Sequence, residues 1–481
     1  MNQAHTDETQ PEVISFRELL APPYLSRIAL LSLALWLHAS NSLLTTTTLP
    51  SAINEIGGLH LISWAFSLYL LGSIIAASSV SLVVAIVGLR RAFLYSALAF
   101  GIGCAICAMT PSMEILLIAR VIQGLGGGAL MALIFISNDR FFPNHFIPRL
   151  VACFSATWSV AAFCGPLIGG AFATAGLWRM AFWVFCIQAI VLIITVAVLL
   201  EDDEEELENP GPIPIVRLSF LALAIISIAV AGADVQFTRS AILLVFGASC
   251  LAFFLIRDRR ATLGRMFPLE TTNLRHPIGS GITMTFILSM SMMSFLVYGP
   301  LVLIQLYDLS PLSSGFVLLT ESLSWGLAAI LFSGSPPDRE PAVIRLGSSL
   351  VFSGLVLMAL FLPNGPLWWV VICATISGSG FGMMWGFVIR RIADATHQEE
   401  RDRVSGLIPS VQQLGFALGA ALSGLIANGL NISDDMPADD LRFVTFWLFA
   451  GLAPLAFLGV IMAWRFARPH ADAAGPLKSA P

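Results

Sequence analysis

Fourteen apolar stretches of about twenty residues, each long enough to cross a hydrocarbon core of about 30 Å, constrain this chain more than any motif does. They run over 28–49, 61–86, 92–110, 115–138, 150–173, 180–200, 218–233, 240–256, 278–303, 312–333, 346–362, 367–389, 405–429 and 443–464. The seventh and eighth are the shortest. Inside lipid every backbone polar group must be satisfied within the chain, so continuous apolar runs of this length predict membrane-crossing helices. Composition agrees, with 57% hydrophobic residues, 11% charged and a mean hydropathy of +0.84, values that a soluble domain of 481 residues does not reach. Residues 1–26 are polar and mixed in charge, and the first apolar run is too long for a signal core. The first span is therefore expected to remain in the mature protein.

Basic residues fix the expected orientation, because arginine and lysine accumulate in cytoplasmic loops. Apart from Arg120, which lies inside a span, 21 basic residues fall on one side of these spans, and only Arg179, Arg239 and Arg442 fall on the other. Both termini are predicted cytoplasmic, in a multi-pass protein of the cell membrane, the inner membrane of a bacterium. The basic set is arginine except for Lys478, and the net charge of −5 with no basic stripe gives no nucleic-acid footprint. The seven cysteines (Cys104, Cys107, Cys153, Cys164, Cys186, Cys250 and Cys373) are scattered through apolar runs and read as small packing residues.

The long polar interruptions at 201–217 and 257–276 divide the chain. The expected organisation is a cytoplasmic tail over 1–27, a six-helix bundle over 28–200, an acidic loop with two extra helices and a basic linker over 201–277, a second six-helix bundle over 278–465 and a tail over 466–481. The acidic run 201–206 reads as a solvated face. The halves echo each other, since QGLGGGALMAL at 123–133 has a counterpart in SGSGFGMMWGF at 377–387, and internal duplication is common in secondary transporters.

Arg120 lies inside the fourth apolar run and is followed by Gln123, Gly124, Gly126, Gly127 and Gly128. A guanidinium at mid-membrane costs about 2.5–3.5 kcal/mol even on lenient insertion scales, so it must face protein or a wet cavity. Helices in lipid associate through small residues that let backbones approach. Gly124 and Gly128 lie one turn apart in the fourth span, and Gly165 and Gly169 repeat that spacing in CGPLIGG at 164–170, where Pro166 removes a backbone hydrogen bond. Packing accounts for the glycines but not for Arg120 and Gln123, which project together at a spacing of three.

These residues resemble the major facilitator superfamily, and within it the fourteen-span drug:proton antiporter branch. The likeness covers nearly the whole chain. It rests on Arg120, Gln123, Gly124, Gly126 and Gly128 in span four and on Gly165, Pro166, Gly169 and Gly170 in span five, the more specific signature. LPSAINEIGG at 49–58, the cluster of Trp178, Arg179 and Phe182, and SGLIPSVQQLGFALG at 405–419 add to it. The resemblance implies two six-helix bundles rocking about a central cavity, with Arg120 serving proton coupling and Gly165 to Gly170 forming a hinge that favours export. Gly124 and Gly128 belong with that hinge-and-packing set. Two positions depart from the family pattern: Asn41 stands where an aspartate is usual, and Ser81 and Ala85 replace the glycine and aspartate of the loop motif of which Gly88, Arg90 and Arg91 remain.

A proton-driven carrier needs a group that changes charge. Glu321, flanked by apolar turns in span ten, is the first candidate, and His38 in span one, which shares a helical stripe with Asn41, Ser42 and Thr45, is the second. Asp234, at the outer end of span seven, reads as an exposed loop carboxylate. The substrate cavity is expected to be lined by Trp36, Asn41, Thr45, Gln123, Trp158, Tyr298, Trp325 and Trp385, an apolar site with few polar anchors that suits amphipathic or cationic molecules. For each tryptophan, interfacial packing is the competing account.

ATP-driven chemistry is excluded because the phosphate-binding loop needs a lysine and the chain's one lysine is in its tail. The seven histidines show no ligand spacing, so no metal, cofactor or enzymatic activity is expected. The expected function is proton-coupled export, with the bilayer, a small molecule and protons as partners of a monomer. The alternatives are an importer or facilitator of a small metabolite, or a transporter-like membrane protein without proton coupling.

Overall fold

The computed structural model describes residues 21–22, 24–143, 146–201, 214–261, 265–336, 338–396, 401–433 and 436–468. Fourteen stretches in it are helical, long and apolar enough to cross a membrane. The helices are α1 (Tyr24–Ile56), α2 (Ile62–Val87), α3 (Leu89–Met109), α4 (Met113–Phe141), α5 (Ile147–Thr174), α6 (Trp178–Leu199), α7 (Ile215–Ala233), α8 (Phe237–Arg259), α9 (Pro277–Tyr307), α10 (Pro311–Phe332), α11 (Glu340–Phe361), α12 (Leu367–Asp394), α13 (Arg401–Gly429), α14 (Ala438–Ala450) and α15 (Ala453–Phe466).

Two expectations about the spans change. The first helix is 33 residues long and runs through Pro50, past the predicted end at 49. The threonines before the proline donate to carbonyls of their own helix, Thr45 to Asn41 at 3.0 Å, Thr46 to Leu43 at 2.6 Å and Thr48 to Leu44 at 3.1 Å. The run predicted as one helix over 443–464 is instead two, α14 and α15. Pro454 at the start of α15 has no N–H to continue the ladder, and Leu452 bonds back to Phe449 in a tighter turn.

Two groups of six spans each form the chain's body, α14 and α15 together making the last span of the second. In the first, α2 and α3 pack on α4, α1 packs on α4, α5 and α6, and α3 packs on α6; in the second, α10 and α11 pack on α12, and α9 packs on α13 and α15. Two seams join the groups, α5 against α10 and α2 against α13. The extra helices α7 and α8 pack on each other, and α7 also lies on α13 and α2, beside the second seam. Apolar side chains face outward, such as Phe237, Val198 and Leu331, while serines, threonines and Arg120 are buried, the inversion expected of a protein dissolved in lipid.

At the base of α7 and α8, the Asp258 carboxylate accepts from Arg217 Nη1 at 2.5 Å and from the backbone N–H groups of Met266 and Phe267 at 2.9 and 2.8 Å. This buried carboxylate ties the α7–α8 hairpin to the strap that leads into α9.

Candidate functional site

Arg120 is wholly buried in the first helix group, between α1, α2, α3 and α4. Its Nη1 donates to Asn41 Oδ1 at 2.9 Å and to Gln123 Oε1 at 2.8 Å, its Nε donates to the Ala65 carbonyl at 3.0 Å, and its guanidinium carbon lies 4.2 Å from the centre of the Tyr69 ring. Every acceptor is neutral. Among the described residues no carboxylate pairs with this arginine, so amide and carbonyl dipoles and a ring face carry the stabilisation of its charge. Asn41 accepts from Arg120, while its own Nδ2 is buried without a partner.

Gln123 extends the set: its Nε2 donates to Cys104 Sγ at 3.0 Å, and the Cys107 thiol lies 3.6 Å from its Oε1. On the other side of Arg120, the Tyr69 hydroxyl is 3.0 Å from His38 Nδ1 and 3.3 Å from the His38 carbonyl. His38 is buried, and the Trp158 ring lies at 6.3 Å, centre to centre. Gly127 has no side chain where a Cβ would meet the Tyr69 hydroxyl at 2.8 Å and His38 Nδ1 at 2.9 Å.

The glycines explain how an arginine of this size is enclosed. A Cβ on Gly124 would stand 2.9 Å from the Tyr69 carbonyl carbon, and one on Gly128 would stand 2.6 Å from that of Ser73, so α2 and α4 touch backbone to backbone. The second group repeats this contact. There a Cβ on Gly378 would meet the Glu321 carbonyl carbon at 2.9 Å, and one on Gly382 that of Trp325 at 2.8 Å. The echo between 123–133 and 377–387 is thus a structural repeat, in which Glu321 on α10 stands where Tyr69 stands on α2.

Glu321 is partly exposed, with the Ser377 hydroxyl beside its carboxyl and Ser324 donating to its backbone carbonyl at 2.9 Å. It shares no hydrogen bond with Arg120. Trp325, Phe381 and Trp385 form an aromatic cluster next to it, with Trp325 at 4.5 Å from Phe381 and 6.2 Å from Trp385.

Of the eight residues expected to line a cavity, Trp158 is exposed and Trp36, Trp325 and Trp385 are partly exposed. Asn41, Thr45, Gln123 and Tyr298 are enclosed by neighbouring helices and line no open space in this conformation. For Asn41 and Gln123 the reason is Arg120, which holds both inside the first group, whereas the Thr45 hydroxyl turns back onto its own helix. Trp36 is drawn toward α6, donating from Nε1 to Gln188 at 3.1 Å. Asp234 is exposed and pairs with Arg239 at 2.8 Å.

Gly165, Pro166, Gly169 and Gly170 stand where α1, α5 and α10 cross. Gly165 faces the Ser40 backbone and Gly169 the Leu44 carbonyl on α1, while Gly170 faces Pro311 and Leu312 at the start of α10. The Thr47 hydroxyl donates to the Pro166 carbonyl at 3.0 Å, and Thr174 Oγ1 accepts from the Leu312 N–H at 3.0 Å. The other seam is held by Asn428, whose amide donates to the carbonyls of His60 at 2.7 Å and Gly232 at 2.5 Å. Further along this seam, Ser67 donates to Ala417 at 2.8 Å and Ser73 to Gln413 at 3.0 Å.

At the arginine-rich end, Gly88 takes a φ of 82° between α2 and α3. Arg90 donates to the Ala197 carbonyl near the C-terminus of α6 at 2.9 Å, where a cation is favoured. Arg91 follows it in the first turn of α3. In the second group Arg390 pairs with Glu340. At the opposite end, Glu55 receives Arg179 at 2.5 Å and Trp178 Nε1 at 2.7 Å, joining two separated sequence motifs.

Sequence reasoning missed Tyr69 as well as Gln188 and Ser377. Extending the internal repeat from α4 and α12 to their partners would have placed Tyr69 opposite Gly124 and in register with Glu321.

Comparison with known proteins supplies the family. The family model described as Major Facilitator Superfamily matches residues 31–386 and 283–480. A protein of Mycobacterium tuberculosis named as a probable multidrug-efflux transporter is 31% identical over 437 residues, covering 88% of this chain and 91% of that one. The multidrug efflux pump SdrM of Staphylococcus aureus is 24% identical over 411 residues, covering 82% and 88%. Among solved structures, a D-xylose-proton symporter superposes with a TM-score of 0.65 at 13% identity over 92% of this chain and 97% of that one. A POT family transporter bound to 5-aminolevulinic acid superposes with a TM-score of 0.65 at 15% identity over 93% and 97%. These structural likenesses speak for the fold.

Proposed function

The chain belongs to the major facilitator superfamily, and on that premise we propose that it exports small amphipathic or cationic compounds in exchange for protons by alternating access. It is a multi-pass membrane transporter with the names of multidrug efflux proteins among its relatives. One observation carries the finer reading: among the described residues, Glu321 is the one carboxylate near the middle of a span in either six-helix group. It sits partly exposed beside Trp325, where a proton and a cationic substrate compete for the same charge.

Arg120 acts in the first group as a fixed charge that holds α1, α2 and α4 together. The seams are closed by Thr174 and Leu312 on one side and by Asn428, Ser67 and Ser73 on the other. With the arginine-rich loops on the cytoplasmic side of a bacterial inner membrane, these contacts close the outward end, and the hinge at Gly165 to Gly170 is where α5 turns against α10. The working unit is a monomer, with each six-helix group moving as a body.

The test is transport in everted vesicles, using a cationic dye and a small anionic metabolite, with and without a protonophore. Uptake of the dye that collapses with the protonophore supports the proposal. Dye uptake indifferent to the protonophore, or no uptake of either compound, would refute it.

A further inference from the structure

The hydroxyl of Tyr69 has two neighbours on His38, and its ring has a third group beneath it. The oxygen is 3.0 Å from the imidazole Nδ1 and 3.3 Å from the His38 carbonyl, while the ring face lies 4.2 Å from the guanidinium carbon of Arg120. All three residues are buried. We propose that Tyr69 is a positioning residue that passes proton uptake at His38 to Arg120 by exchanging its two hydrogen-bond partners. The inference rests on the proton-coupled reading above and adds a second protonatable position to it, in the first helix group.

Hydrogen-bond chemistry gives two arrangements. With a neutral imidazole, Nδ1 is an acceptor, so the tyrosine donates to it and the ring hydrogen sits on Nε2. When a proton arrives at Nδ1, that nitrogen becomes a donor to the tyrosine oxygen, and the hydroxyl hydrogen turns to the His38 carbonyl. One proton is gained and no heavy-atom bond changes. The carbonyl already receives Ser42 Oγ at 2.9 Å and, within α1, the Ser42 N–H, so in the protonated arrangement the tyrosine takes the lone pair that the Ser42 hydroxyl gives up.

The consequence falls on Arg120. The groups that face the imidazole from neighbouring helices are Tyr69 on α2, Arg120 on α4 and the Trp158 indole on α5, and Arg120 is the one charged group among them. None of the described carboxylates pairs with either side chain. A protonated His38 therefore places a second positive charge in a compartment whose first charge has only neutral acceptors. The guanidinium has a way to respond, since Asn41 joins it to α1 and Ala65 joins it to α2. Glu321, in register with Tyr69 across the structural repeat, places its own protonatable group at the corresponding contact of the second helix group.

Tyr69→Phe tests this cleanly, because it keeps the ring over Arg120 and removes the exchangeable hydrogen. Two transport measurements in vesicles separate coupling from movement: accumulation driven by a proton gradient, and counterflow of labelled against unlabelled dye with no gradient. The expected result is a loss of about tenfold or more in accumulation, the scale of one hydrogen bond to a charged group, with counterflow kept within about twofold. His38→Gln, which offers an acceptor but cannot titrate, should flatten the pH profile of accumulation. Wild-type accumulation and pH profile in both variants overturn the inference alone. Equal loss of counterflow and accumulation in Tyr69→Phe also overturns it, because the hydroxyl then serves movement itself. A wild-type protein with no gradient-driven accumulation overturns this inference and the proposed function together.

Discussion

Replacing Gly124 by alanine should separate two helices by a distance that the site cannot absorb. A Cβ at 124 would stand 2.9 Å from the carbonyl carbon and 3.1 Å from the Cα of Tyr69, whereas carbon atoms rest at about 3.5–4.0 Å. The obstacle is backbone, so α2 must retreat from α4 by about 0.5–1 Å, at an overpacking cost of about 1–3 kcal/mol. Alanine also gains up to about 1 kcal/mol of helix propensity over glycine, which offsets part of this. Gly386→Ala supplies the correction: it lies in helix α12 with nothing within 4 Å of a new Cβ, so it receives the propensity term alone.

The retreat also reaches the site. Tyr69 moves with its backbone, and its 3.0 Å bond to His38 and its 4.2 Å approach to Arg120 lengthen together. Thermal unfolding of the purified protein in detergent should show Gly124→Ala melting below both wild type and Gly386→Ala, and vesicle transport should fall in Gly124→Ala only. Matching melting curves and transport rates for the two alanine variants would refute the reasoning, because the backbone contact between α2 and α4 would then be absent in the working protein.

Arg120→Ala should abolish substrate movement while immunoblots of membranes show an unchanged amount of protein; a variant that still transports would remove Arg120 from the mechanism. Glu321→Gln should leave dye movement insensitive to a protonophore, and gradient-driven transport surviving this change would end the assignment of Glu321. Asp258→Ala takes the acceptor from Arg217 and from two backbone N–H groups. It should lower stability by about 3–5 kcal/mol, the cost of breaking a buried pair, read as a fall in melting temperature, and a wild-type curve would show that the hairpin holds without it.

The helical character of the chain and the number of its spans were legible because they depend on local quantities. A helix needs only apolar length, and a cytoplasmic loop only its arginines, both of which are written consecutively. Breaks within a span were less legible. Pro50 and Pro454 are the same residue type, yet α1 continues through the first and the chain splits at the second. Which outcome a proline gives depends on what packs against it, and that is not written in its neighbours along the chain.

Arg120 shows the same division at the site. Its place in a span and its projection with Gln123 follow from a spacing of three along one helix, and its burial follows from the cost of a charge in lipid. Its remaining partners come from α1 and α2, so no spacing along the chain reveals Asn41 Oδ1, the Ala65 carbonyl or the Tyr69 ring. The sequence by itself determined a fourteen-span transporter with a buried arginine and close-packed glycine faces, since hydropathy and helical period act over short distances. Only the tertiary structure decided that the arginine is held by neutral groups and bridged to His38 by a tyrosine, because those contacts exist where separate helices meet.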